Sequence, residues 1–318
     1  MTPDRLDPVR LSRWPTPLQP APRLAVALGL APADLAVKRD DLTDLGGGNK
    51  VRKLEHLLAE ARAAGSTALV TSGGVQSNHA RMTALAAARL GLRAVLVLSG
   101  DADPQRPGNL ALAELAGAEV VVVGSAAEVA DRVAAEADRL RAAGEVPAVL
   151  PLGGSTATGA RGYVEAAAEL RAQAPDLVTA VVAVGSGGTM AGLVAGLGAD
   201  RVLGVDTGAV DDPGDRVREL VAALGAPAGG LRVRTDQVGA GYGSITAGAA
   251  GAMRTAARTE GLLLDPVSTG KALAGLAAAV ADGSVRPGER TVFVHTGGLP
   301  GLFGHPYAAE LAGRALGR

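Results

Sequence analysis

The sequence predicts an α/β protein built on parallel sheets, and three observations carry that prediction. Short β-branched or apolar runs alternate with Ala/Leu-rich helical patterns along the chain. The runs are continuously apolar instead of alternating, the pattern of strands buried on both faces by helices. Hydrophobic residues make up 47 % of the sequence but aromatic residues only 2 %, so the core has to be built from Ala, Val and Leu, which suits close packing of helix on sheet.

In chain order, the first strong helix signal is Asn49-Lys50-Val51-Arg52-Lys53-Leu54-Glu55, which opens directly after Gly46-Gly47-Gly48. A strand at 68–71 then leads through Ser72-Gly73-Gly74 into an Ala-rich helix that ends near Leu90-Gly91. Strands follow at 94–98 and 119–123. A further strand at 180–184 passes through Gly185-Ser186-Gly187-Gly188 into a helix ending near Leu197-Gly198, and strands at 201–206 and 291–295 complete the set. The Pro/Gly segment 104–108 and the stretch 211–215 read as exposed loops. At 318 residues the chain has room for two domains, or for one large domain with an inserted lobe.

Residues 177–199 carry no charge and place Gly188, Gly192 and Gly196 at small-xxx-small spacing. A hydropathy window would read a membrane span there. The internal Gly185-Ser186-Gly187-Gly188-Thr189 instead breaks the run into a strand of about six residues and a helix of about ten.

Composition excludes several classes of chemistry. Thirty-two acidic and 31 basic residues give a net charge of −1, with the basic ones scattered, so no nucleic-acid footprint is present. The absence of cysteine removes disulfides, thiolate catalysis and Cys-based metal sites. His56, His79, His295 and His305 show no paired ligand spacing, and no metal is expected. Residues 1–10 carry Asp4 and Asp7 and no apolar h-region, which points to the cytoplasm.

Only four of the basic residues are lysines: Lys38, Lys50, Lys53 and Lys271. Arginine solvates a surface as well as lysine but cannot serve as an amine nucleophile, so a retained lysine is a candidate for chemistry. Lys50 begins its helix beside Arg52 and Lys53, whose charges favour its neutral amine. Basic residues at a helix N-terminus oppose the dipole, a cost with no obvious structural return.

Two strand–turn–helix junctions offer anion sites, because each aims backbone N–H groups and the positive end of a helix at its turn. At Gly185-Ser186-Gly187-Gly188-Thr189, glycine permits close approach and Ser186 and Thr189 add hydroxyl donors, as a phosphate cradle requires. The dinucleotide pattern needs glycine where Met190 stands, and Gly270-Lys271-Ala272 fails the Walker pattern. At the other junction, Gln76-Ser77-Asn78-His79 gathers amide, hydroxyl and imidazole groups suited to a substrate carboxylate. Capping alone would account for Ser77 or Asn78, but not for four adjacent polar side chains.

Together these segments resemble the pyridoxal-phosphate enzymes of the D-cysteine desulfhydrase and 1-aminocyclopropane-1-carboxylate deaminase family, of the tryptophan-synthase-β fold type. The resemblance runs through Trp14-Pro15-Thr16-Pro17-Leu18, Lys38-Arg39-Asp40-Asp41-Leu42, Gly47-Gly48-Asn49-Lys50, Gln76-Ser77-Asn78, Gly153-Gly154-Ser155 and Gly162-Tyr163. It continues through the glycine loop 185–189, Gly241-Tyr242-Gly243, Leu264-Asp265-Pro266-Val267 and His295-Thr296-Gly297-Gly298.

The resemblance implies a fold type II architecture of two lobes, each with a mainly open, twisted parallel sheet covered by helices. The large cofactor-binding lobe would comprise 1–52 and 161–318, with a small α/β lobe, 53–160, inserted and the cofactor near strand C-terminal ends. It implies pyridoxal 5'-phosphate as cofactor, a small amino acid as substrate and a homodimer. By resemblance Lys50 is the Schiff-base lysine, Asn78 meets the cofactor's phenolic oxygen, Gly185, Ser186, Gly187, Gly188 and Thr189 hold its phosphate, and Lys53 assists there. Ser77 and Tyr242 match residues that face the substrate and assist proton transfer; Gln76, His79 and Thr296 fall in the substrate-facing segments. Thr269 falls where a side chain meets the pyridine nitrogen.

Deaminases of the cyclopropane substrate resemble one another in having Glu at the position of Thr269 and Leu at that of Thr296. Two hydroxyls here look like the desulfhydrase branch, which implies α,β-elimination on D-cysteine to give pyruvate, ammonia and hydrogen sulfide. The chain departs from both branches at Ser268, where the family usually has tyrosine; His79, His305 or Tyr307 are candidates to compensate. Cyclopropane deamination, another amino-acid lyase or racemase activity, and a cofactor-binding protein with little catalysis stay open.

Overall fold

A computed structural model of the chain describes residues 6–311, apart from 104 and 106. Pro104 and Arg106 of the expected loop, and the first five residues of the N-terminal segment, therefore lie outside the described residues. Contacts divide the chain into two compact units, one of residues 1–12, 50–159 and 300–318, the other of 13–49 and 160–299.

The chain opens the second unit with β1 (Leu18–Pro20), α1 (Pro22–Ala27) and β2 (Leu35–Lys38). It then builds the first unit from α2 (Lys50–Ala63), β3 (Ala68–Gly74), α3 (Asn78–Leu90), β4 (Arg93–Ser99), α4 (Gly108–Leu115), β5 (Glu119–Val123), α5 (Val129–Ala142) and β6 (Pro147–Leu150). The second unit resumes with α6 (Ala157–Gln173), β7 (Thr179–Val184), α7 (Gly188–Leu197), β8 (Val202–Asp206), α8 (Pro213–Ala223), β9 (Arg232–Arg234), α9 (Ala247–Glu260), α10 (Thr269–Ala281) and β10 (Thr291–Val294). The short helices α11 (Leu299–Phe303) and α12 (Ala308–Leu311) follow.

The first unit holds a four-stranded sheet in the order β5-β4-β3-β6, parallel throughout. Ala68, Val70 and Val95 of this sheet pack with Leu140 of α5. Strand β6 begins at Pro147 and lies at an edge, where a residue without an N–H donor is tolerated. The buried Glu55 of α2 accepts from Leu11 N at 2.7 Å and Ser12 N at 3.1 Å, which fixes the N-terminal segment to this helix. Helix α3 ends where the sequence placed its stop, with Gly91 left-handed at φ 70°.

The second unit holds a six-stranded sheet in the order β1-β2-β10-β7-β8-β9, parallel except for β1 against β2. Strands β2, β10, β7 and β8 are buried along their whole length, as expected for strands covered on both faces by helices. The uncharged run 177–199 divides into a strand of six residues and a helix of ten. Its small residues serve helix packing inside the unit. A Cβ at Gly192 would lie 2.3 Å from Ala160 O, and one at Gly196 would lie 2.3 Å from Ala167 Cβ, so α7 rests on α6 only because both are glycine. Among the described residues no helix is long and apolar enough to cross a membrane.

Lys38 is buried at the end of β2 and donates to Thr16 O at 2.9 Å, Glu169 Oε2 at 2.5 Å and Gln173 Oε1 at 2.7 Å. This lysine joins β2 to α6, and its retention is explained by a convergent ammonium and not by reaction chemistry.

Candidate active site

Lys50 is the first residue of α2, as the glycine run before it predicts. The preceding loop is shaped by Asp40, whose buried carboxylate accepts from Thr16 Oγ1 at 2.8 Å and from Tyr163 Oη at 2.5 Å. The Asp40 backbone carbonyl accepts from Gly48 N at 2.9 Å. Gly47 has φ 77°, and a Cβ there would fall 2.0 Å from Asp41 O, so this glycine answers to the protein's own backbone. Gly48 bridges Gly297, and Asn49 N donates to Thr296 O at 3.0 Å. The side chain of Asn49 donates from Nδ2 to Thr189 Oγ1 at 2.9 Å. Asn49, Thr189 and Thr296 are thereby tied within the second unit.

In the first unit, Lys53 is buried, and its ammonium donates to Gly153 O at 3.2 Å and Ser155 Oγ at 2.9 Å. Two protons of the side chain expected to assist a phosphate are thus used to hold the 153–155 turn. Gly154 of that turn packs on His79, where an added Cβ would lie 3.2 Å from the imidazole Cε1. Both ring nitrogens of His79 are buried, and neither makes a hydrogen bond of good geometry, the Pro151 carbonyl being a weak partner. Burial, then the positive Lys50 and Lys53, hold His79 well below the usual imidazole range, against a smaller upward pull from the Pro151 carbonyl. It is a neutral group at physiological pH.

Ser77 caps α3, its Oγ accepting from Ala80 N at 3.2 Å, so the capping role is real. Accepting that bond leaves the hydroxyl proton available to donate elsewhere. Asn78 Oδ1 accepts from Asn109 Nδ2 at 3.0 Å and from an Arg81 guanidinium nitrogen at 3.3 Å. Its amide is thereby oriented with Nδ2 as the end left to donate. Gln76 Oε1 accepts from Asn109 N at 2.8 Å, and the Asn109 amide returns a bond to Gln76 O at 2.9 Å. Sequence reasoning passed over Asn109 and Arg81. Arg81 is fully buried and donates to Asn109 Oδ1 at 3.0 Å, and burial pulls its pKa down to about 10. Neither stands in a recognisable motif; one signal was an arginine on the apolar face of an Ala-rich helix.

The second unit places the glycine loop between β7 and α7. Gly187 is left-handed at φ 86° and gives α7 no side-chain cap, so the helix presents N–H donors and its positive end to the turn. A Cβ at Gly185 would make only ordinary contacts, 3.7 Å from Thr207 Oγ1 and 3.8 Å from Ala209 Cβ. That glycine supplies space and not relief of a clash. Thr189 is buried beside the turn.

Asp265, unassigned by the sequence reading, organises the start of α10. Its carboxylate accepts from Val267 N at 3.0 Å, Ser268 N at 2.8 Å and Thr269 N at 2.8 Å. Thr269 Oγ1 donates to Asp265 Oδ1 at 2.6 Å and accepts from Asp265 N at 2.8 Å. Gly298 has φ 111°, and a Cβ there would lie 2.7 Å from Asp265 Cγ. Tyr242 has 51 % of its surface open. Surrounding protein and then the Asp265 charge push its phenol up to about 12, so it is protonated at neutral pH.

The sequence of residues 9–297 matches the family model described as pyridoxal-phosphate dependent enzyme. The chain belongs to that family. This pyridoxal-phosphate enzyme is 42 % identical over 319 residues, 94 % of each chain, to a Pyrococcus abyssi protein provisionally named 1-aminocyclopropane-1-carboxylate deaminase. It is 39 % identical over 315 residues to D-cysteine desulfhydrase of Klebsiella pneumoniae, covering 92 % of this chain and 94 % of that one. A crystal structure of an ACC deaminase homologue superposes with a TM-score of 0.87 at 36 % identity over 96 % of each chain. The processed form of threonine deaminase isoform 2 from Solanum lycopersicum shares the fold, with a TM-score of 0.70 at 19 % identity over 96 % of this chain and 89 % of that one.

The residues present suit the cofactor. An uncapped helix start beside a spacious Gly185 fits a phosphate. The oriented Asn78 amide and the weakly partnered nitrogens of His79 fit polar groups of a cofactor or substrate.

Proposed function

We propose that the enzyme is a lyase that carries out α,β-elimination on a small amino acid, with D-cysteine the favoured substrate. D-Cysteine and water give pyruvate, ammonia and hydrogen sulfide. The Cα–H and Cβ–S bonds break, the thiolate leaves with a proton, and the resulting enamine becomes an imine that water hydrolyses. Pyridoxal phosphate, when bound, supplies the electron sink for the carbanion at Cα.

The observation that carries this reading is the hydroxyl of Thr269, bound to Asp265 Oδ1 at 2.6 Å. A neutral hydroxyl brings no carboxylate to the ring nitrogen and does not force a proton onto it, so the sink is weaker than one with an acidic partner. Expulsion of a thiolate needs less carbanion stabilisation than opening a cyclopropane.

The remaining roles follow from donor chemistry. Lys50 Nζ would hold the cofactor, and its amine would take the α-proton. The loop from Gly185 to Thr189 holds the phosphate, with Lys53 acting through the 153–155 turn and its charge. Asn78 Nδ2 would donate to the phenolic oxygen. Ser77 Oγ and the Tyr242 phenol, both carrying protons at neutral pH, deliver them to the substrate. Gln76, His79 and Thr296 line the substrate side. A cytoplasmic location and a homodimer belong to the same proposal, the homodimer resting on the family resemblance.

The test is a visible spectrum of the purified enzyme with a pyruvate assay on both cysteine enantiomers and β-chloro-D-alanine. Bound-cofactor absorbance lost in Lys50→Ala and pyruvate from the D-substrates are expected; bound cofactor without pyruvate from either would refute the assignment. A second reading, ring opening of 1-aminocyclopropane-1-carboxylate to 2-oxobutyrate and ammonia, is favoured by the names of the Pyrococcus abyssi relative and the solved homologue. The keto acid produced separates the two.

A further inference from the structure

Lys271 is buried in α10, and its ammonium faces main-chain carbonyls. It donates to Thr207 O at 3.0 Å, Val238 O at 2.9 Å and Gly241 O at 2.9 Å, and Tyr242 O lies 3.3 Å away. Three protons thus serve four oxygens that converge on one point. Three of the four belong to the loop that carries Tyr242. Ser244 Oγ donates to the same Val238 and Gly241 carbonyls, at 3.1 Å and 2.8 Å, so the loop folds back on itself around these acceptors. Gly208, at φ 79°, brings the loop after β8 against it, since a Cβ there would lie 2.7 Å from Val238 Cγ1 and 3.2 Å from Tyr242 N.

Carbonyl oxygens turned inward repel one another unless a cation sits among them. Burial disfavours the charged amine, and the Asp206 and Asp265 carboxylates oppose that effect. Arginine, which supplies most of the basic residues here, cannot replace the group, because its planar fork spreads its donors instead of converging them.

We propose that the Lys271 ammonium is a tethered monovalent cation that holds the Val238–Tyr242 loop in the shape presenting Tyr242, and that free ammonium or potassium can replace it when the tether is cut. The inference rests on the proton-transfer role proposed for Tyr242 and makes Lys271 a positioning residue for it.

The test compares holoenzyme with Lys271→Ala and Lys271→Met by hydrogen exchange and by kcat, in choline, ammonium and potassium chloride at equal ionic strength. In choline chloride both variants are expected to exchange amides 239–243 about tenfold faster than wild type while those of β10 stay protected. Their kcat should fall in step, with KM nearly unchanged. Ammonium or potassium should restore protection and kcat to Lys271→Ala, whose shortened side chain leaves room for an ion, and not to Lys271→Met, whose side chain fills that room. Unchanged exchange at 239–243, or equal behaviour of Lys271→Ala in all three salts, overturns the proposal. Should Lys271→Ala emerge unfolded, refolding in ammonium but not choline chloride supports it, and failure in both overturns it. A Tyr242→Phe enzyme of undiminished kcat would remove the role of Tyr242 and leave the exchange result standing.

Discussion

Asn49 donates from Nδ2 to Thr189 Oγ1 at 2.9 Å, so the residue just before Lys50 is fastened to the first turn of α7. The backbone that delivers the proposed Schiff-base lysine and the loop proposed to hold the phosphate share one hydrogen bond. Asn49→Ala removes that bond, worth about 1 kcal/mol, and is expected to raise the cofactor dissociation constant about fivefold. Titration of apoenzyme with pyridoxal phosphate, followed by visible absorbance, measures it; an unchanged constant would count against the coupling.

Tyr242 carries its proton at neutral pH, with a pKa near 12. Removing the hydroxyl in Tyr242→Phe is expected to lower kcat about a hundredfold with KM little altered, the signature of a group that moves a proton in the reaction. Steady-state kinetics on D-cysteine decide the point, and a pure KM effect would assign the phenol to binding.

Ser77 both caps α3 and faces the proposed substrate site, and two substitutions separate these roles. Ser77→Ala is expected to cost about 1 kcal/mol of stability through the lost cap, whereas Ser77→Asn retains a capping oxygen. Both should lose about a hundredfold in kcat if the hydroxyl moves a proton. Near-normal turnover in Ser77→Asn would leave the residue as a cap alone.

His79 and His295 both titrate below the ordinary imidazole value, chiefly because they are buried. For His295, Nδ1 accepts from Gly297 N at 3.2 Å, so Nε2 carries the proton shared with Leu263 O. Below a pH of about 6.5 the unfolded chain binds protons at these sites that the folded chain refuses. Their stabilising contribution is complete above that value and is lost as pH falls toward the folded pKa values, at up to about 1.4 kcal/mol per pH unit for each site. Urea midpoints from pH 7.5 to 5 should fall, and more shallowly for His79→Gln; identical slopes would contradict the assignment.

The central strands were legible because each is an unbroken apolar run. The sequence marked 94–98, and β4 adds one residue at each end; it marked 180–184, and β7 adds only Thr179. The strands that escaped notice are short and carry contrary signals. β1 and β6 contain prolines, β9 reads Arg-Val-Arg, and β2 ends in a lysine whose charge is satisfied by Glu169 on α6, 131 positions away. Of the candidate site, the glycine turns and polar clusters were visible as local patterns. Asn109 and Asp265 were not, because what they do depends on partners and turn geometry that no motif records. Asn109 reaches Asn78 from another helix, and Asp265 takes over a cap normally assigned to the adjoining residue.

That transferred cap bears on what the side chain at position 268 is free to do. Ser268 stands at the N-cap of α10 yet makes no capping bond with its side chain; Asp265 gathers the N–H groups instead. The backbone of residue 268 still accepts from Ala272 N at 2.9 Å, but its side chain is relieved of capping the helix. Ser268→Tyr therefore alters what the start of α10 presents while the Asp265 cap, which asks nothing of the side chain at 268, keeps the helix as stable as before.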